Sequence, residues 1–172
     1  MSRGRMVVVL LGAPASGKTT FGEELARRGF RWRDWEVEIL ERWVSRANFV
    51  ANKSESLPAL QAELVRWFDE DGSTPAIEST GLSDGPFLDR LDHERSCLVV
   101  RIDVTAEESA RRVAARERGR HLTDDADRNR AIWDAFYEHV ASSRRVDLVL
   151  DGMRPVSELA DEIVSRASPA PS

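Results

Sequence analysis

The sequence predicts an α/β fold in three layers: a parallel sheet of five strands with helices packed on both faces. Two observations carry that expectation. Five short apolar runs alternate along the chain with stretches of helical pattern, the order that builds a covered parallel sheet. The first run breaks straight into Gly12-Ala13-Pro14-Ala15-Ser16-Gly17-Lys18-Thr19, the spelling G-x-x-x-x-G-K-[ST], and a helix-like stretch follows at once.

The elements follow in order. Strand one is Met6–Leu11, and helix one runs from Lys18 to Arg28, stopped by Gly29. Strand two is short, Phe30 to Asp34. The helix after it covers Trp35 to Ser45, with an apolar stripe from Val37, Ile39, Leu40, Trp43 and Val44. Residues 46–56 read as loop or broken helix, Leu57–Phe68 as helix, and Asp71-Gly72-Ser73 as a turn. Strand three is Pro75–Ser79, and a short helix lies around Pro86–Leu91. Strand four is Cys97–Asp103, with helix Ala106–Arg116 behind it. A polar loop over Gly119–Asp125 leads to helix Asp127–Ser142. Strand five is Val146–Asp151, and the last helix, Pro155–Arg166, carries proline in its first turn. One domain over residues 1–166 accounts for all of this, with 167–172 as a frayed tail.

Composition narrows the function classes. The 172 residues suit one domain with a substantial core. Hydrophobic residues at 41% and charged residues at 32% are ordinary for a soluble protein, and a net charge of −5 offers nucleic acid no basic field. The single cysteine, Cys97, opens an apolar run and reads as a small buried hydrophobe, which leaves no disulfide framework and no cysteine–histidine zinc pattern. The apolar run Met6–Leu11 is too short to span a membrane and leads into the glycine loop rather than a cleavage site. The expected setting is therefore cytoplasmic, with no membrane partner, as a monomer or homodimer.

The loop at Gly12–Thr19 fixes a chemistry. Its glycines let the backbone curl so that N–H groups point inward at a phosphate, and the helix behind adds the positive end of its dipole. Lys18 would reach the β- and γ-phosphates, and the Thr19 hydroxyl would ligate Mg²⁺. Thr20 continues the cradle. The chain has only two lysines, Lys18 and Lys53, and otherwise uses arginine. An ammonium on a flexible stem suits a curled loop better than a planar guanidinium. Three later strands end in acids, Glu78, Asp103 and Asp151, and Asp34 ends the second in the same way. In open α/β sheets ligands sit beyond these carboxyl ends.

In this layout the chain resembles the small P-loop kinases, the group that holds shikimate kinase and gluconate kinase, over nearly its whole length from Val7 to about Val164. The resemblance implies sheet order two-three-one-four-five, ATP with Mg²⁺ as cofactors, and a small hydroxyl-bearing acceptor. Asp34-Trp35-Glu36 falls where such kinases carry Asp-x-Asp, so Asp34 is the candidate base or acceptor-orienting group and Glu36 the alternative. Asp34 also suits a helix N-cap. Trp35 beside it either lines the acceptor pocket or packs between helices. Ile77-Glu78-Ser79-Thr80-Gly81 matches the third-strand segment of the family. There Glu78 would meet Mg²⁺ through water and Gly81 would let backbone approach the acceptor; a solvated strand end with a turn glycine is the plainer reading.

The arginine-rich stretch 111–122 resembles the family's lid, placed at about 116–126, with Arg116 and Arg120 as its phosphate-facing residues. An arginine-rich solvated helix face gives the same pattern. Arg154 falls where the adenine loop passes. The acceptor half departs from shikimate kinase: Gly81 stands alone where that family has three glycines, and Phe49-Val50 stands where it has Phe-Arg. The sequence therefore predicts an ATP-dependent phosphotransferase with an open choice of acceptor. A nucleoside or nucleotide kinase is the first alternative, and a P-loop ATPase or nucleotide-binding module without an acceptor is the second.

Overall fold

A computed structural model describes residues 6–43, 46–70, 72–118, 121 and 124–167, with backbone only for 35, 36, 40, 43, 46, 49 and 50. Its centre is β1 (Val7–Leu11), in which all five residues are buried. Around it lie β2 (Arg31–Arg33), β3 (Pro75–Ser79), β4 (Cys97–Asp103) and β5 (Leu148–Asp151), in the order β2-β3-β1-β4-β5. Every pairing is parallel. Both sheet faces are covered, so the central strand β1 reads as a continuous apolar run rather than an alternating one.

Alternation appears instead in which helices each side chain meets. Val7, Val9 and Leu11 face one layer with Leu60, Leu64 and Phe68 of α4 (Lys53–Asp69) and Phe87, Leu88 and Leu91 of α5 (Gly85–Glu94). Val8 and Leu10 face the other, with Phe21 and Leu25 of α1 (Lys18–Arg27) and Leu159, Ala160 and Ile163 of α8 (Val156–Ala167). Gly22 of α1 lets the Trp32 ring lie against the helix: a Cβ there would stand 2.2 Å from the ring. No helix among the described residues is long and apolar enough to cross a membrane.

Between β2 and β3 the chain is more helical than expected. After α2 (Trp35–Trp43) come α3 (Arg46–Ala51) and α4, which starts at Lys53 and takes Pro58 into its second turn. Asn52 closes one helix and opens the next: its N–H donates to the Asn48 carbonyl, and its own carbonyl accepts from Glu55 and Ser56. Pro58 has no N–H to donate back to the Ser54 carbonyl, and α4 continues past it to Asp69.

The helix expected over Asp127–Ser142 changes pitch. After α6 (Ala106–Ala115), α7 (Ala126–Ala135) passes into one π-helical turn, Phe136–Val140, closed by the Ala141 N–H donating to the Phe136 carbonyl at 2.9 Å. Phe136 is fully buried, while the Tyr137 hydroxyl accepts from the Val104 N–H at 3.1 Å and donates to the Val104 carbonyl at 3.2 Å.

Candidate active site

The glycine loop leaves β1 beside β3. Leu11 is in register with Ser79, and the Gly12 N–H donates to the Ser79 carbonyl at 3.2 Å, so the carboxyl ends of the two strands form one rim. Gly12 has no room for a side chain: a Cβ would stand 2.2 Å from Ser16 Oγ. Ala15 (φ 55°) and Gly17 (φ 99°) both adopt left-handed backbone, which makes the loop curl back on itself. The Phe21 N–H then donates to Gly17 O at 2.9 Å as α1 begins. Lys18 folds over this curl, its Nζ donating to Gly12 O at 3.0 Å and Ala13 O at 3.1 Å. An ammonium carries three N–H bonds, so one more remains for an anion in the loop.

Glu78 is 6% exposed and accepts from Thr19 Oγ1 at 3.2 Å. A hydroxyl and a buried carboxylate thus meet at the head of α1, a hard oxygen pair that suits a magnesium ion keeping its own waters. The residues therefore fit a phosphate chain in the loop and a divalent cation at its edge.

Asp34 stands at the end of β2, and its carboxylate accepts from the Val37 N–H at 3.2 Å. It does cap α2. Trp35 and Glu36 form the first turn of α2, and their side chains lie outside the described set. Asp103 is structural, held by Arg101 at 2.8 and 3.0 Å. Asp151 accepts from the Met153 N–H in the turn after β5. Of the four strand-end acids, the structure therefore engages Asp34, Asp103 and Asp151 in local bonds and sets Glu78 against Thr19.

The turn after β3 holds a group that sequence reasoning missed. The Ser79 hydroxyl donates to the Asp84 carboxylate, 2.7 Å from each oxygen, and accepts from the Gly81 N–H at 2.6 Å. Burial pushes the Asp84 carboxyl up, against the pull of the Ser79 bond and of the Arg144 and Lys53 charges. Gly81 has φ 72°, and its close neighbour is Val140, whose Cγ1 lies 2.9 Å from where a Cβ would stand. Ser-Asp-Gly-Pro reads as an ordinary turn; only the packing of residues 60 positions later buries it.

Among the lid residues, Arg116 ends α6, with Nη2 donating to Asn129 Oδ1 at 3.4 Å and Nε 3.9 Å from Asp124. Arg120 lies outside the described residues. Arg154 reaches along α8 to Glu162 at 2.9 Å and Glu158 at 3.5 Å. Among the described residues, Arg112 touches the glycine loop, donating to Ala15 O and Ser16 O at 3.3 Å each. A cavity of about 250 Å³ lies elsewhere, between α5 and the segment after the π turn, and shares no lining residue with the loop. Burial pushes its Cys97 thiol up to about 12.

No protein-family model and no curated protein matches the sequence. Solved structures do. A shikimate kinase from Bacteroides thetaiotaomicron superposes with a TM-score of 0.67 at 14% identity, covering 94% of this chain and 97% of that one. A gluconokinase from Sinorhizobium meliloti 1021 gives 0.59 at 17% identity, over 96% and 93%. A deoxyadenosine kinase from M. mycoides, solved with bound dATP, gives 0.57 at 14% identity, over 94% and 98%. The chain has the fold of the small P-loop kinases, with the strand order that the resemblance implied.

Proposed function

We propose that this protein is an ATP-dependent phosphotransferase that moves the γ-phosphoryl group of ATP to a hydroxyl of a small molecule. The observation that carries the reading is the joint geometry of Lys18 over the curled loop and Thr19 against buried Glu78, at the rim shared by β1 and β3.

Phosphoryl transfer asks a protein for positioning and charge neutralisation more than for covalent chemistry. Residues Gly12 to Thr20 hold the phosphate chain, and Lys18 offsets charge at the transferred group. Magnesium, when bound, neutralises phosphate oxygens; Thr19 would ligate it and Glu78 would hold one of its waters. Asp34 orients the acceptor and takes its hydroxyl proton as the acceptor oxygen bonds to phosphorus and ADP leaves. Residues 116–126, with Arg116 and Arg120, act as a lid that keeps water from competing with the acceptor.

The test is ADP release measured with and without a panel of sugars, polyols, nucleosides and antibiotics. Acceptor-stimulated release, lost in Asp34→Asn, supports the kinase and names its acceptor class, a nucleoside included. Equal release without any acceptor and indifferent to Asp34→Asn supports an ATPase. Bound nucleotide with no turnover under any condition supports a binding module.

A further inference from the structure

The cavity of about 250 Å³ has no part in phosphoryl transfer, yet it is lined by a definite chemistry. Its floor is aliphatic, from Val9 and Leu11 of β1, Val99 of β4 and Leu88 of α5. Its rim is charged. Asp89 and Asp92 come from α5, and Arg144 and Arg145 from the chain that leads into β5.

The rim charges form two ion pairs of opposite sense. Arg144 Nη1 lies 2.8 Å from Asp89, and the arginine is the more buried member: its side chain is 15% exposed and the acid's 71%. Arg145 Nη2 lies 2.8 Å from Asp92, and here the acid is the more buried member, 33% exposed against 54%. One guanidinium and one carboxylate are thus withdrawn from solvent, each with its partner further out. Pairs with an exposed member are screened by water and contribute little, so a ligand can replace them. Other bonds hold the rim in place. Arg144 Nη2 donates to the Gly85 carbonyl at 3.1 Å, and Arg145 Nη2 also reaches Cys97 O at 3.0 Å and Asp147 at 3.1 Å.

That pattern selects a ligand. An anion set on Arg144 would be repelled by Asp92, and a cation set on Asp92 would be repelled by Arg144. A zwitterion satisfies both, with charge-assisted bonds from Arg144 to its carboxylate and from its ammonium to Asp92. The volume is that of roughly eight waters in the liquid, enough for about eight or nine non-hydrogen atoms. An α-amino acid with a short apolar side chain combines that size, both charges and a body that suits the floor.

We propose that this cavity is a binding site for a free α-amino acid with an aliphatic side chain, held through its carboxylate by Arg144 and through its ammonium by Asp92. The site shares no lining residue with the glycine loop, so the inference stands or falls apart from the nucleotide reading.

Titrate L-valine, L-leucine and L-methionine into the wild-type protein by calorimetry. Beside them titrate isocaproate, which is leucine without its ammonium, and isoamylamine, which is leucine without its carboxylate. At least one of the amino acids should bind, and each truncated probe should bind roughly tenfold or more weakly than leucine, the scale of a lost charge-assisted bond. Asp92→Asn keeps the shape and removes the charge, so it should weaken the amino acid by a similar factor without weakening isocaproate. Cys97→Met adds volume at the cavity wall and leaves every rim charge, so it should block binding in a protein whose melt remains cooperative. If Cys97→Met does not fold, Asp92→Asn carries the test, since its site is partly exposed. Binding of none of the three amino acids, equal affinity for leucine and isocaproate, or wild-type affinity in Asp92→Asn overturns the inference.

Discussion

Gly12→Ala puts the loop's packing to a quantitative test. The new methyl would stand 2.2 Å from Ser16 Oγ and 3.1 Å from both Ile102 O and Ser16 Cβ. Ser16 is fully buried, so its hydroxyl cannot swing out to solvent and the loop itself must open. Overpacking of this kind costs about 1–3 kcal/mol. At about 2–4 °C per kcal/mol for a chain of this size, melting should fall by roughly 2–12 °C. Ser16 Oγ has no hydrogen-bond partner among the described residues, so Ser16→Ala removes a hydroxyl whose burial costs about 1–3 kcal/mol and should leave the melting point unchanged or raise it. The double variant should recover most of the loss, giving a double-mutant coupling of about 1 kcal/mol or more. Thermal melts of the four proteins, with ADP·Mg titrations beside them, read this directly. Strict additivity, or a Gly12→Ala protein as stable and as tight-binding as wild type, would refute the reasoning.

Three further outcomes are expected. Asp34→Asn keeps the cap on Val37, because asparagine caps helices as well as aspartate does; its melting point should hold while acceptor-dependent turnover falls at least a hundredfold. Asp34→Ala should in addition lose about 1 kcal/mol of stability. Glu78→Gln keeps an acceptor for Thr19 and removes the charge, so folding should survive and half-maximal activity should require more magnesium; an unchanged magnesium profile would remove Glu78 from the metal site. Bonds from Arg111 and then Arg112 hold the Glu108 carboxyl down, to about 2 against an ordinary 4.5. Its contribution is therefore whole above 4.5 and fades as pH falls toward 2. Glu108→Gln should melt below wild type at pH 7, with the gap closing over that acid range; a gap that ignores pH there would contradict the pairing.

What could be read from the chain, and what could not, divides along physical lines. Val7–Leu11 is plain because a parallel strand buried on both faces leaves an uninterrupted apolar run, and Pro75–Ser79 and Cys97–Asp103 fall where expected because each opens on a short one, Pro75–Ile77 and Cys97–Val100. The loop and the start of α1 are equally plain, since left-handed backbone and a cradle for an anion demand glycine and lysine at fixed spacing. Residues 46–56 were obscure because much of α3 and the first turn of α4 face solvent, and Pro58 masks a helix that has already begun. The π turn leaves no periodic signature; within it Phe136 goes to the core and Tyr137 to Val104. Arg112 was hidden among equivalent neighbours. Its bonds go to three carbonyls, of Ala15, Ser16 and Gly152, that the fold brings together, and no local spacing records that.

The claim beneath all of this is that the bend at Gly12–Thr19 grips the phosphates of a metal-bound nucleotide. Calorimetric titration of ATP·Mg into wild type and Lys18→Met, both shown by their melts to be folded, tests it most directly. The account predicts binding by wild type and a loss of roughly 10- to 150-fold in the variant, the worth of a charged hydrogen bond of about 1.5–3 kcal/mol. Equal affinity in the two proteins would contradict it.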